Sequence, residues 1–137
     1  MNIDGRELRN ALGRFATGVC VITTVDATGN AVGITANSFS SVSLDPPLVL
    51  WSLQSSSDIY TTFASPRRYA INVLSCEQAD LSNQYALKGN HILDAGHYTV
   101  GRHGSPVIRN ALVSFECELE ATHSGGDHLI IIGRVKD

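Results

Sequence analysis

Ala111-Leu112-Val113-Ser114-Phe115-Glu116-Cys117-Glu118-Leu119-Glu120-Ala121-Thr122 is the cleanest periodic stretch in the chain. Val113, Phe115, Cys117, Leu119 and Ala121 alternate with Ser114, Glu116, Glu118, Glu120 and Thr122. Period two predicts a strand with one face in the core and the other in water. Ser124-Gly125-Gly126-Asp127 then turns the chain, and His128 to Val135 returns as a final strand.

Working outward, the same reading finds further strands joined mainly by hairpins. Val19 to Val25 is β-branched and nearly continuous, a buried strand. Asp26-Ala27-Thr28-Gly29-Asn30 is a hairpin loop, and Ala31 to Ala36 returns. Leu48 to Leu53 and Tyr69 to Leu74 are two more strands, Pro106 to Ile108 is a brief extended piece, and Asn90 to Gly104 is loop with one short strand near residues 97–100. Three helices are expected. Asp4, with Glu7 as its capping-box partner, starts the first, whose stripe Leu8, Leu12, Phe15 runs to a stop at Gly18. Ser57 or Asp58 caps a short one through Ile59, Tyr60 and Phe63. Ser75-Cys76-Glu77-Gln78 opens the third, with Leu81 and Tyr85 on one face and Gly89 as its stop. Hairpin-linked strands with interspersed helices predict a mainly β fold, an antiparallel barrel with peripheral helices rather than a βαβ layer.

The 137 residues suffice for one domain with a real core, and 43% hydrophobic with 17% charged residues is a folded composition. A net charge of −3 argues against nucleic acid as a partner. No apolar run is long enough to span a bilayer, and the polar N-terminus shows no signal-peptide pattern. Cys20, Cys76 and Cys117 fall in otherwise apolar elements without a Cys-x-x-Cys, which predicts buried, reduced thiols in a cytoplasmic protein.

One stretch stands out chemically. From Gly33 to Pro47, Thr35, Asn37, Ser38, Ser40, Ser41 and Ser43 supply hydroxyls and an amide, with no charge before Asp45. Short neutral donors and free backbone N–H groups can hold a polar, phosphate-bearing ligand without a cationic patch; a turn that satisfies its own backbone is the commoner use of such residues. The stretch is expected to be a strand end followed by a tightly held loop. No P-loop or Gly-x-Gly-x-x-Gly is present. The inventory admits Ser, His and Asp, but no Gly-x-Ser-x-Gly elbow. His91, His97 and His103 are spaced by six, which does not gather them on a helix, so no metal site is expected. Arg67-Arg68 is either a solvated pair or a phosphate clamp beside Ser57. His128 follows a Gly-Gly-Asp turn, where backbone can approach a ligand closely, although a plain strand-end histidine reads the same way.

The chain resembles the flavin-reductase-like family, small NAD(P)H:flavin oxidoreductases that serve two-component monooxygenases. The matching residues are Phe15 to Thr23, Gly33 to Ser43 with Pro46-Pro47, Trp51-Ser52-Leu53, Tyr69 to Leu74 and Gly126-Asp127-His128. The resemblance implies an FMN-binding split β-barrel, a homodimer, and flavin at the subunit boundary. It implies FMN or FAD as flavin and NADH or NADPH as hydride donor, with reduced flavin passing to a partner monooxygenase. By the same resemblance Thr35, Ala36, Asn37 and Ser38 line the flavin, Ser41 adds a polar contact, Ser52 and Leu53 continue the floor, and Ser57 lies near the phosphate. Asn83 and Gln84 are further carry-overs. Gly126, Asp127 and His128 match the motif associated with the nicotinamide, with His128 a positioning residue and no side chain an obligatory catalyst. Thr35 and Asn37 are expected to donate toward the flavin ring. By the same resemblance family members usually continue past Gly133-Arg134-Val135 into another strand, so the single domain, residues 1–137, is either truncated at Asp137 or stops there natively with barrel closure and dimer surface left open. The rival function is a non-catalytic FMN-binding or storage protein, for the fold also resembles pyridoxamine-phosphate oxidases.

Overall fold

The computed structural model describes residues 2–137. In chain order the elements are α1 (Gly5–Leu12), β1 (Cys20–Val25), β2 (Ala31–Ala36), β3 (Ser40–Leu44), β4 (Pro47–Gln54), α2 (Tyr60–Ala64), β5 (Arg68–Val73), α3 (Ala79–Ala86), β6 (Tyr98–Val100), β7 (Pro106–Ile108), β8 (Val113–Gly125) and β9 (His128–Val135). Seven strands form one sheet in the order β2-β1-β5-β8-β9-β4-β3, antiparallel at every pairing, and β6 pairs with β7 separately.

The sheet curls around a core of Cys20, Ile22, Val32, Val49, Trp51, Leu53, Phe63, Tyr69, Ile71, Cys117 and Ile131. Val32 of β2 packs in the same cluster as Val49, Trp51 and Leu53 of β4, although the two strands are far apart in the sheet order. Curling brings them face to face and leaves an unpaired seam, which makes the barrel split. Ser38 bridges that seam: its Oγ accepts from the Ser52 N–H at 2.8 Å and lies 3.3 Å from the Ser52 carbonyl. A second cluster, Val21, Leu74, Tyr85, Leu93 and Ile108, covers the outer face of β1 with α3 and β7. Covered on both faces, β1 is buried from Cys20 to Thr24, which is why its sequence runs apolar and β-branched without alternation.

Several expectations change. Asp4 caps α1, its carboxylate accepting from the Arg6 and Glu7 N–H groups. The helix ends at Leu12 with Gly13 as its cap, five residues before Gly18, and it buries nothing: Leu8, Leu12 and Phe15 are exposed. Ser40–Leu44, read as loop, is an edge strand, because its backbone pairs with β4 from Ser40↔Leu50 to Leu44↔Pro47. On β8 the wet face is dry at Glu116, whose side chain is covered by the Gly101–Gly104 segment and accepts from the His103 N–H at 3.0 Å. Cys20 and Cys117 are buried, and burial pushes their thiols up to about 11 and about 12, but Cys76 is exposed. Ser75 and Gln78 form the expected capping box, though it opens a 3-10 turn ahead of α3. No helix among the described residues is long and apolar enough to cross a membrane.

Candidate functional site

At the seam the end of β2, the end of β4, the loop after β4 and the loop after α3 enclose a cleft of about 510 Å³. Of the residues singled out from the sequence, it gathers Thr35, Ala36, Asn37, Ser38, Ser52, Leu53, Ser57 and His128. The polar stretch after β2 supplies one wall, since antiparallel pairing with β1 ends at Cys20↔Ala36 and the chain must leave the sheet there.

The polar atoms of that wall are not equally free. Thr35 Oγ1 donates its proton to the Ser82 carbonyl of α3 at 2.7 Å, so the expected donation toward a flavin ring is already spent inside the fold. The Ser38 hydroxyl is held by Ser52 across the seam. Asn37 is exposed, and among the described residues no hydrogen bond engages its amide. Ser57 Oγ accepts from the Ile59 N–H at 3.3 Å, which leaves its own proton to give.

His128 pairs with Gln54 in the β4–β9 register, so the turn before it sits against the loop after β4. The Ser55 N–H donates to the Asp127 carbonyl at 2.9 Å, fastening turn to loop. Asp127 Oδ1 accepts from His128 Nδ1 at 2.7 Å, and this bond first, then the charge of the ring, holds the Asp127 carboxyl below the usual carboxylate range. With Nδ1 anchored, Nε2 is the ring nitrogen left for a ligand. Gly126, at φ 69°, supplies the left-handed turn, where a side chain is strained. Neither Gly126 nor Asp127 lines the cleft.

Sequence reasoning missed Asp58, Lys88 and His91, all of which line it. Asp58 is paired with His91 and Gly89, some thirty residues away, and no local pattern announces such a pairing. Lys88 is the one lysine or arginine among the lining residues. Four candidates are placed elsewhere. Arg67 is exposed on a separate depression with Thr24, Arg68 and His103, so no clamp forms beside Ser57. Asn83 faces another depression with Cys76 and Ser82. Gln84 donates to the Asp94 carboxylate at 3.1 Å, and Ser41 is exposed on the edge strand β3. The three evenly spaced histidines are dispersed: His91 in the cleft, His97 against the Tyr85 hydroxyl, His103 beside Glu116.

A large antiparallel sheet curled into a split barrel with peripheral helices is the architecture of the split-barrel flavin reductases. The family model described as flavin reductase like domain matches residues 12–137, and the chain belongs to that family. It is similar to SmoA, an FMN reductase (NADH) of Agrobacterium fabrum, at 46% identity over 132 residues, 96% of this chain and 75% of SmoA. It is similar to the reductase component of the flavin-dependent trigonelline monooxygenase of Acinetobacter baylyi, at 41% identity over 96% of this chain and 43% of that protein. Its structure superposes on the NADH:FAD oxidoreductase SgcE6 of Streptomyces globisporus C-1027, solved with NAD and FAD fragments. The TM-score is 0.89 at 32% identity, over 100% of this chain and 84% of SgcE6. The chain spans less than half the length of two of the curated relatives it matches, 42% and 43%.

Proposed function

We propose that this chain is an NAD(P)H-dependent flavin reductase that binds FMN or FAD in the seam cleft and passes reduced flavin to a partner monooxygenase. The observation that carries the reading is the cleft itself: about 510 Å³, a free amide at Asn37, a free hydroxyl proton at Ser57 and the lysine Lys88. These groups fit a flat neutral ring system with a single anionic tail. A bound flavin would accept hydride from the nicotinamide, chemistry that belongs to the cofactor. Asn37 would donate to the polar edge of the ring system, while Ser57 and Lys88 would meet the phosphate. Leu53 and Trp51 would supply apolar floor. His128, oriented by Asp127, would position the nicotinamide side through Nε2.

The names of the relatives support a monooxygenase partner, and the family match over residues 12–137 supports reading the chain as one domain. Exposed Leu12, Phe15 and Leu44 leave apolar surface that isologous pairing would bury, in keeping with a homodimer. The three free thiols fit a reducing cytoplasm.

The test mixes purified protein with FMN and NADH and follows loss of nicotinamide absorbance. Steady oxidation that needs both protein and flavin is the expected result. Tight flavin binding without oxidation would instead identify a binding or storage module.

A further inference from the structure

His91 joins three segments that wall one end of the cleft. Its Nδ1 lies 3.1 Å from the Gly33 carbonyl of β2 and its Nε2 2.9 Å from Asp58 Oδ1 in the loop after β4. The other Asp58 oxygen accepts from the Gly89 N–H at 2.6 Å, in the loop after α3, and the Gly33 N–H donates to the His91 carbonyl at 2.8 Å. A carbonyl and a carboxylate only accept, so satisfying both requires a ring that donates from both nitrogens, the imidazolium form. The Gly33 end is a fixed anchor, since β2 there packs so closely that a Cβ would come within 2.8 Å of Leu93. The His91 side chain is only 9% exposed, whereas that of Asp58 is 29% exposed.

We propose that His91 and Asp58 form a charge-dependent clip that sets the width of the cleft, so that protonation of His91, a positioning residue, tunes affinity for the flavin phosphate end. The proposal rests on the flavin reading above. When the ring loses a proton, a lone pair of one nitrogen faces an oxygen lone pair, and the clip loses a bond and its ion pair. The loop carrying Ser56 and Ser57 then loses its tie to β2 through His91 and is held only by the Gly89 N–H on the other Asp58 oxygen. Asp58 from the loop after β4, Lys88 from the same loop as His91 and His128 from β9 are the titratable groups that share the cleft with it. β2 contributes none, and α3 presents only Ala86. The Asp58 carboxyl is held below its usual range, first by its bond to His91, in keeping with an ionised partner.

The experiment titrates FMN into the whole chain between about pH 5 and 8, where histidines change charge, in wild type, Asp58→Asn, His91→Gln, the double variant and His128→Gln. Melting curves accompany each. Wild-type affinity is expected to fall about fivefold with rising pH. Asp58→Asn and His91→Gln should each bind about fivefold more weakly at the low end and keep only the pH dependence of the FMN phosphate, whose second ionisation falls at about pH 6, with the double variant no worse than either. His128→Gln should keep the slope. Ligand-free wild type should show proton resonances on both His91 ring nitrogens, with the Nε2 proton lost in Asp58→Asn. If wild type binds FMN and the folded clip variants match its affinity and slope, the clip proposal alone falls. A slope abolished by His128→Gln and kept in His91→Gln also overturns it. Wild type that binds no FMN overturns the flavin reading and carries the positioning role down with it.

Discussion

Asn72 and Asn37 carry the same amide and sit in opposite situations. Asn72, next to last in β5, is fully buried and has every valence used: Nδ2 donates to the Val21 carbonyl and to Thr23 Oγ1, and Oδ1 accepts from the Ile108 N–H and the Ser114 hydroxyl. It ties β5 to β1, β7 and β8 at once. Asn37, where the chain leaves β2, is exposed at the cleft rim, its amide engaged by none of the described residues. A saturated amide specifies a fold, because each lost partner strands a buried dipole. An unsaturated one at a cleft can be spent on a ligand. Satisfaction, rather than residue type, separates scaffold from site in this molecule.

The largest effect tests the saturated side. Asn72→Ala strands the Ile108 N–H and removes three further bonds, for an expected loss of about 2–4 kcal/mol in unfolding free energy. Denaturant titration measures it, and a loss under about 1 kcal/mol would mean the network is not the hub described. Asn37→Ala is the mirror experiment. Its melting temperature should not move, while flavin affinity falls by about 1–3 kcal/mol. Lower stability with unchanged affinity would reverse the assignments of the two asparagines.

Ser38 lies between these extremes, lining the cleft yet bonded to Ser52. Ser38→Ala should cost about 1 kcal/mol of stability through the unpaired Ser52 N–H, with flavin affinity weakened only as the seam loosens. Acid pH probes the clip more gently. The Asp58 carboxyl titrates below its unfolded range because His91 and then Gly89 donate to it. Its contribution is therefore fully present above the ordinary carboxylate range and lost as pH falls through the lowered folded value. The wild type should lose more melting temperature on acidification than Asp58→Asn, by a small margin given the exposure of the group. Equal acid responses would remove Asp58 from the list of stabilising carboxylates.

The fold was more legible than the site, for a physical reason. β2 and β9 begin and end where their pattern says, at Ala31–Ala36 and His128–Val135, because the hydrophobic period is written locally. β3 was invisible because an exposed edge strand has no core face to advertise; its pairing with β4 defines it. Glu116 looked wet because the segment that buries it comes from Gly101–Gly104, a contact no window of sequence contains. The candidate site divides the same way. The contiguous wall from Thr35 to Ser38 was readable as chemistry, but which of its hydroxyls remained free was not, since Ser82 and Ser52 decide that. Asp58, Lys88 and His91 entered only through folding.

The smallest expected effect is also the sharpest separation of surface from cleft. Arg67 lies in Ser65-Pro66-Arg67-Arg68, whose double positive charge suggested a phosphate clamp. The folded chain puts its exposed side chain in the depression with Thr24, Arg68 and His103, while Lys88 is the lysine that lines the seam cleft. A screened surface charge outside contact range contributes almost nothing to binding. Arg67→Ala should therefore leave FMN affinity and its salt dependence unchanged, whereas Lys88→Ala should weaken binding and flatten the salt dependence. Parallel titrations at low and high ionic strength make the measurement. If Arg67→Ala weakens FMN binding and Lys88→Ala does not, the anionic tail lies toward β5, and the phosphate end of the site must be moved out of the seam.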